Sequence, residues 1–149
     1  MRCKVELLKD IWDELNPLLQ ACFEETGFKS ICFKPNKERY LQMQSKEKLH
    51  FATLRNVAGK LIGYSSFILD KHPHYGDDLV AFQDSFFVLP KFRGVSSMKL
   101  FVFVEQDLVS LGAKYILRNS NVEKDWSRTL TRNGYAPKET LFIKHTGAK

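Results

Sequence analysis

The sequence predicts an α/β domain of the layered, α+β kind, in which a mixed sheet is flanked by helices. Apolar residues alternate at strand spacing in several short runs and recur at helical spacing in others. The resulting order is strand, two helices, three strands, helix, strand, helix, strand, and it interleaves the two types as a layered domain does. Length is the third observation. At 149 residues and 44% hydrophobic the chain can bury one good core, and no repeat, low-complexity tract or linker divides it. Residues 1–149 therefore read as a single domain.

Residues 1–8 alternate as an edge strand. Asp10 then stands as an N-cap, and Ile11, Leu15, Leu18, Leu19 and Cys22 share a helical face that Gly27 closes. Pro17 inside that face predicts a kink or a break, because proline removes a helix hydrogen bond. A second helix opens after Pro35, with Asn36 as cap, and carries Tyr40, Leu41 and Met43. The pattern becomes strand-like over 48–55, turns at 56–59 and resumes over 60–69. A loop over 70–78 precedes the strand 79–89, whose Phe86, Phe87 and Val88 are continuously apolar, as in a strand buried on both faces. Helix 97–111 presents Phe101, Val104, Leu108 and Leu111 and stops at Gly112. A short strand at 114–118, a helix at 123–133 closed by Gly134 and a last strand at 141–145 complete the chain.

Composition narrows the function classes. The net charge of +6 favours anionic ligands, but lysine and arginine are scattered, without the aromatic interleaving of a nucleic-acid module. No apolar run approaches the ~20 residues that span a bilayer. The three cysteines, Cys3, Cys22 and Cys32, are odd in number and read as free thiols in a reducing cytoplasm. His72 and His74 have metal-ligand spacing, but a third ligand is missing, so no metal site is expected. Trp12, Trp126, His50 and His145 are assigned to packing and ordinary strand positions.

The chemistry concentrates in 82–105. A strand stops at Pro90, turns through Arg93, Gly94, Val95, Ser96 and Ser97, and enters a helix. Such a turn aims several backbone N–H groups and the positive end of a helix at one point, a nest suited to phosphate or pyrophosphate, to which Lys91 and Arg93 can add charge.

The strand, Pro-Lys-Phe-Arg-Gly turn and long helix, followed by a short strand and a helix ending in Asn133-Gly134-Tyr135, resemble the GCN5-related N-acetyltransferases (GNAT). The element order matches over nearly the whole chain. More narrowly, His72-Pro-His-Tyr75, Asp84, Val88-Leu-Pro-Lys-Phe-Arg93 and the helix with Glu105 are similar to a branch found in tailed bacteriophages. The resemblance implies a mostly antiparallel central sheet whose central strands splay. It implies acetyl-CoA as co-substrate, its pantetheine arm pairing near Phe86, Phe87 and Val88, and its pyrophosphate cradled by Arg93, Gly94, Val95, Ser96, Ser97 and Met98. Asn121 would touch the cofactor arm. Ser96 and Met98 stand where the usual turn has small residues, and Leu130 or a neighbouring threonine stands where many members carry a tyrosine.

The implied activity is direct acetyl transfer to a primary amine, with Asp84 as general base. His74 and Tyr75 would lie on the acceptor side, and Tyr135 is either a phenol for the leaving thiol or a core aromatic. Pairing of sheet edges would give a homodimer, and a phage-encoded protein would work in the host cytoplasm. The alternative is a GNAT-fold protein that has lost catalysis and serves as a binding module, in a virion or against a host protein.

Overall fold

The computed structural model describes residues 1–147. Its sheet follows chain order, β1 (Arg2–Val5), β2 (Leu49–Arg55), β3 (Leu61–Lys71), β4 (Leu79–Val88) and β5 (Ala113–Leu117). The first four strands are antiparallel neighbours, and β5 joins β4 in parallel. A parallel neighbour needs a crossover, here α3 (Val95–Ser110). The other helices are α1 (Leu8–Thr26), α2 (Lys37–Ser45) and the short α4 (Ser127–Arg132).

Two apolar clusters sandwich the sheet. On one face Ile11, Leu15, Leu18 and Leu19 of α1 pack on Phe51, Tyr64 and Phe87. On the other, Leu100, Val104 and Leu108 of α3 pack on Ala52, Leu54, Phe67 and Val88. Both faces of β2 and β3 are covered, which explains their near-continuous burial. Among the described residues no helix is long and apolar enough to cross a membrane. Cys3, Cys22 and Cys32 are free, with Cys32 exposed.

Several elements differ from expectation. The first helix starts at Leu8, with Leu7 rather than Asp10 at the cap position. The Leu8 N–H donates to Gln44 Oε1 on α2, so a tertiary contact replaces a local cap, and Asp10 sits in the first turn, where a carboxylate favours the helix dipole. Pro17 does not end α1, because buried Ile11 and Leu15 before it and Leu18, Leu19 and Cys22 after it hold one continuous helix on the sheet. Helix α3 starts two residues early. Helix α4 is shorter than expected because the Asp125 carboxylate captures the Ser127 N–H and the Ser120 hydroxyl, holding the preceding residues in a turn. The strand expected at 141–145 does not form, and Leu141, Phe142 and Ile143 stand 87%, 87% and 54% exposed. Its signal was composition alone. His50, assigned to an ordinary strand position, is buried and joins Asp107 of α3 through Nε2 at 2.6 Å.

A polar network pins β1 and β2 to α1. The Arg55 guanidinium bonds Glu6 (2.9 Å from Nε) and Glu14 (2.8 Å from Nη1 and from Nη2). The Thr53 hydroxyl also donates to Glu6, and Lys4 pairs with it at 2.8 Å. Burial alone pushes the Glu6 carboxyl up, but hydrogen bonds from Arg55, Lys4 and Thr53 outweigh it and hold the group below the usual carboxylate range. The Arg55 hydrogen bond does the same for Glu14.

Candidate active site between the splayed strands

The β4–β5 ladder ends at the Phe82–Leu117 rung. One further rung is made by a side chain, with Gln83 Nε2 donating to Asn119 Oδ1 and Asn119 Nδ2 donating to the Gln83 carbonyl, each at 3.1 Å. Beyond it, among the described residues, no backbone bond joins the two strands. The segment from Asp84 to Val88, with Phe86 and Phe87, therefore has no strand partner on its far edge while β3 holds the near one. Cofactor contacts expected near Phe86, Phe87 and Val88 fall on this open stretch.

Asp84 owes its position to an irregularity. Ser66 pairs with Ser85 and Phe67 with Gln83, so Asp84 is the extra residue of a β-bulge. A bulge bends the strand and re-aims its side chain. The exposed carboxylate Oδ2 accepts from the Ser66 hydroxyl at 2.7 Å and from the Tyr40 hydroxyl at 3.2 Å. Burial, then the Asp84 charge, pushes the Tyr40 phenol well above the usual tyrosine value, so at neutral pH it remains a donor. Tyr40 and Ser66 were not identified from sequence. A signal existed for the second, since Ser65 and Ser66 interrupt an otherwise apolar buried strand and a buried hydroxyl needs a partner.

The turn after β4 places Gly94 at the N-cap of α3 with φ 92° and ψ −122°, a backbone region closed to residues with a Cβ. Among the described residues no side chain caps this helix, and no acid lies in its first turn. The N–H groups of Val95, Ser96 and Ser97 are the first of α3 and so lack intrahelical acceptors, while Met98 N–H already bonds the Gly94 carbonyl. Met98 is half-buried. Arg93 does not point its charge into the nest. Its Nη2 donates to Glu25 at 2.6 Å and its Nε to the Val88 carbonyl at 2.8 Å, tying α1 to the end of β4. Gly94→Ala is expected to cost about 1–3 kcal/mol in backbone strain and to displace the turn amides. Thermal melts would show a lower melting temperature.

Other expected site residues are dispersed. Asn121 Nδ2 donates to the Thr26 carbonyl at the end of α1, and its Oδ1 accepts from the Glu123 N–H. Tyr135 is half-buried beneath the strands, its hydroxyl donating to Glu105 at 2.9 Å and accepting from Arg118 at 3.0 Å. Burial pushes its phenol above the ordinary value. His74 and Tyr75 are not brought to Asp84. They form a 3-10 turn before β4, where Tyr75 packs on Tyr115 of β5, and five residue-to-residue steps of ~3.3 Å each lead from Leu79 to Asp84. The reason is that β3 runs on to Lys71 and carries the loop to the closed end of the β4–β5 pair.

No family model matches the sequence, and no curated protein matches it either. Solved structures do match in fold. A ribosomal-protein-alanine N-acetyltransferase from Brucella melitensis biovar Abortus 2308 superposes with TM-score 0.72 at 15% identity, covering 97% of this chain and 99% of that one. An aminoglycoside acetyltransferase from an uncultured soil metagenomic sample, in complex with sisomicin, gives 0.74 at 15%, covering 97% and 95%. Glucosamine-6-phosphate N-acetyltransferase from Arabidopsis thaliana gives 0.72 at 15%, covering 98% and 99%. At this identity the likeness establishes the fold, a mixed sheet flanked by helices as in these acetyltransferases.

Proposed function

We propose that the chain is a GCN5-related N-acetyltransferase that moves the acetyl group of acetyl-CoA to a primary amine by direct transfer. The observation that carries this is a coincidence in space. On the fold of acetyltransferases, a strand pair opens ahead of an uncapped helix start, and a bulge sets a carboxylate at the base of the opening. The residues fit the donor: amides of Val95, Ser96 and Ser97 suit its pyrophosphate, and the free edge around Phe86, Phe87 and Val88 suits the amide-bearing pantetheine. Arg93 serves by fixing the turn against α1 rather than by meeting phosphate.

Asp84 acts as general base, taking the amine's proton directly or through water, with Ser66 and Tyr40 fixing the carboxylate. Backbone N–H groups near Phe87 polarise the thioester carbonyl. The three named neighbours act on a ribosomal-protein alanine, an aminoglycoside and an amino sugar, and a primary amine is what such acceptors share. Nothing among the described residues favours the inactive binding module. Free thiols at Cys3, Cys22 and Cys32 suit a reducing cytoplasm, that of the host for a phage protein.

Calorimetric titration with acetyl-CoA tests this reading. Saturable binding of one molecule per chain is expected, and absence of heat at high protein concentration overturns it. Thiol release with a panel of primary amines then identifies the acceptor.

A further inference from the structure

Arg118 has entered so far only as a hydrogen-bond donor to Tyr135. It follows directly on β5, one residue past the last rung shared with β4. Its guanidinium is enclosed by rings, with centroids at 4.0 Å (Phe101), 5.0 Å (Phe67), 5.7 Å (Tyr135) and 5.8 Å (Phe86). The Nε donates to the Tyr135 hydroxyl at 3.0 Å and Nη1 donates to Gln83 Oε1 at 3.1 Å. The Nη2 is buried and without a partner among the described residues. Among the described residues no carboxylate pairs directly with the guanidinium, and Glu105 is reached through the Tyr135 hydroxyl.

An arginine largely withdrawn from water and given no carboxylate is a costly arrangement, and ring faces offset that cost only in part. Burial accordingly lowers its affinity for its proton from the ordinary arginine value. Such a cation, holding an unused donor, is matched to an anion that arrives during function. Direct transfer creates one at this place. A pantetheine arm running from the phosphate turn along Val88, Phe87 and Phe86 ends near Gln83, the residue that Arg118 holds. There the acceptor nitrogen forms its bond to the acetyl carbon and the C–S bond breaks, both electrons leaving on sulfur. The proton lost by nitrogen goes to Asp84 or water.

We propose that Arg118 receives the departing thiolate of CoA on its free Nη2 and so stabilises the leaving group. This rests on the acetyl-CoA reading above. After release the thiolate takes its proton from solvent. Gln83 and Tyr135 act as positioning residues, fixing the plane of the guanidinium so that one donor remains for sulfur.

Binding of CoA and of desulfo-CoA, which lacks the thiol, separates this from a structural role. A cation beside sulfur lowers the bound thiol's pKa, so thiolate binding gains as pH rises. The preference of wild-type protein for CoA over desulfo-CoA is expected to grow several-fold, up to about tenfold for a shift of about one unit, between about pH 7 and about pH 9.5. Arg118→Met should abolish that growth while desulfo-CoA still binds. A purely structural arginine would leave the pH dependence in place or remove both ligands together. A preference flat with pH in wild type overturns the proposal without any variant, should Arg118→Met not fold. Failure of wild type to bind desulfo-CoA at all instead overturns the acetyl-CoA reading beneath it.

Discussion

Asp84→Asn is expected to lower kcat about 100-fold or more, the scale of a lost general base, with acetyl-CoA affinity and melting temperature close to wild type. Asparagine keeps an oxygen for the Ser66 and Tyr40 hydroxyls, so the bulge and its hydrogen bonds survive. What it lacks is affinity for a proton. The rate of thiol release with the amine acceptor measures this, and a variant within about threefold of wild type would remove Asp84 from the base role. The Tyr40 phenol is held protonated by burial and by Asp84 itself, so it orients the carboxylate and does not compete for the amine's proton.

The largest stability effect is expected at Arg55. Its side chain and that of Glu6 are only 13% and 10% exposed, and Arg55→Met would leave the Glu6 carboxylate buried with Lys4 and Thr53 alone. Breaking a buried pair in this way should cost about 3 kcal/mol, or roughly 6–12 °C in melting temperature for a chain of this size. Glu14, nearly half exposed, contributes less. The same variant has a pH signature. Glu6 and Glu14 titrate lower in the folded protein than in the unfolded chain, so their contribution is complete above the ordinary carboxylate value of about 4.3. It is lost as pH falls through the lower folded values. Denaturant melts from pH 7 down to pH 3 should show wild type losing this increment on acidification, and Arg55→Met losing less because it has less to lose. Parallel curves would count against the network.

Much of the fold was legible because burial imposes periodicity. Ile11, Leu15, Leu18 and Leu19 on α1, and Phe101, Val104 and Leu108 on α3, recur as a helix must to press one side on a sheet. The continuous run of Phe86, Phe87 and Val88 marked a central strand. Local chemistry decided what went astray. Asp125 shortened α4 through hydrogen bonds two and five residues away, and Gln44 replaced a cap from a helix 36 residues distant. Leu141, Phe142 and Ile143 have strand composition, yet composition does not supply a neighbour. The site was half legible. The turn at Gly94 and the acid at Asp84 could be read in line, but Tyr40 lies 44 residues from its partner and Arg118 lies 35 from Gln83. Only the folded sheet brings those pairs together.

The bulge at Asp84 has one further implication. Because this residue faces no counterpart on β3, the ladder would close as well without it, and deleting it would straighten the strand rather than shift its register. The acid is therefore not needed for the ladder to close; what it supplies to the fold is an acceptor for the Ser66 and Tyr40 hydroxyls. If Asp84 is the base proposed above, a polar residue that still accepts from Ser66 could replace it and remove activity while the strand register stays intact.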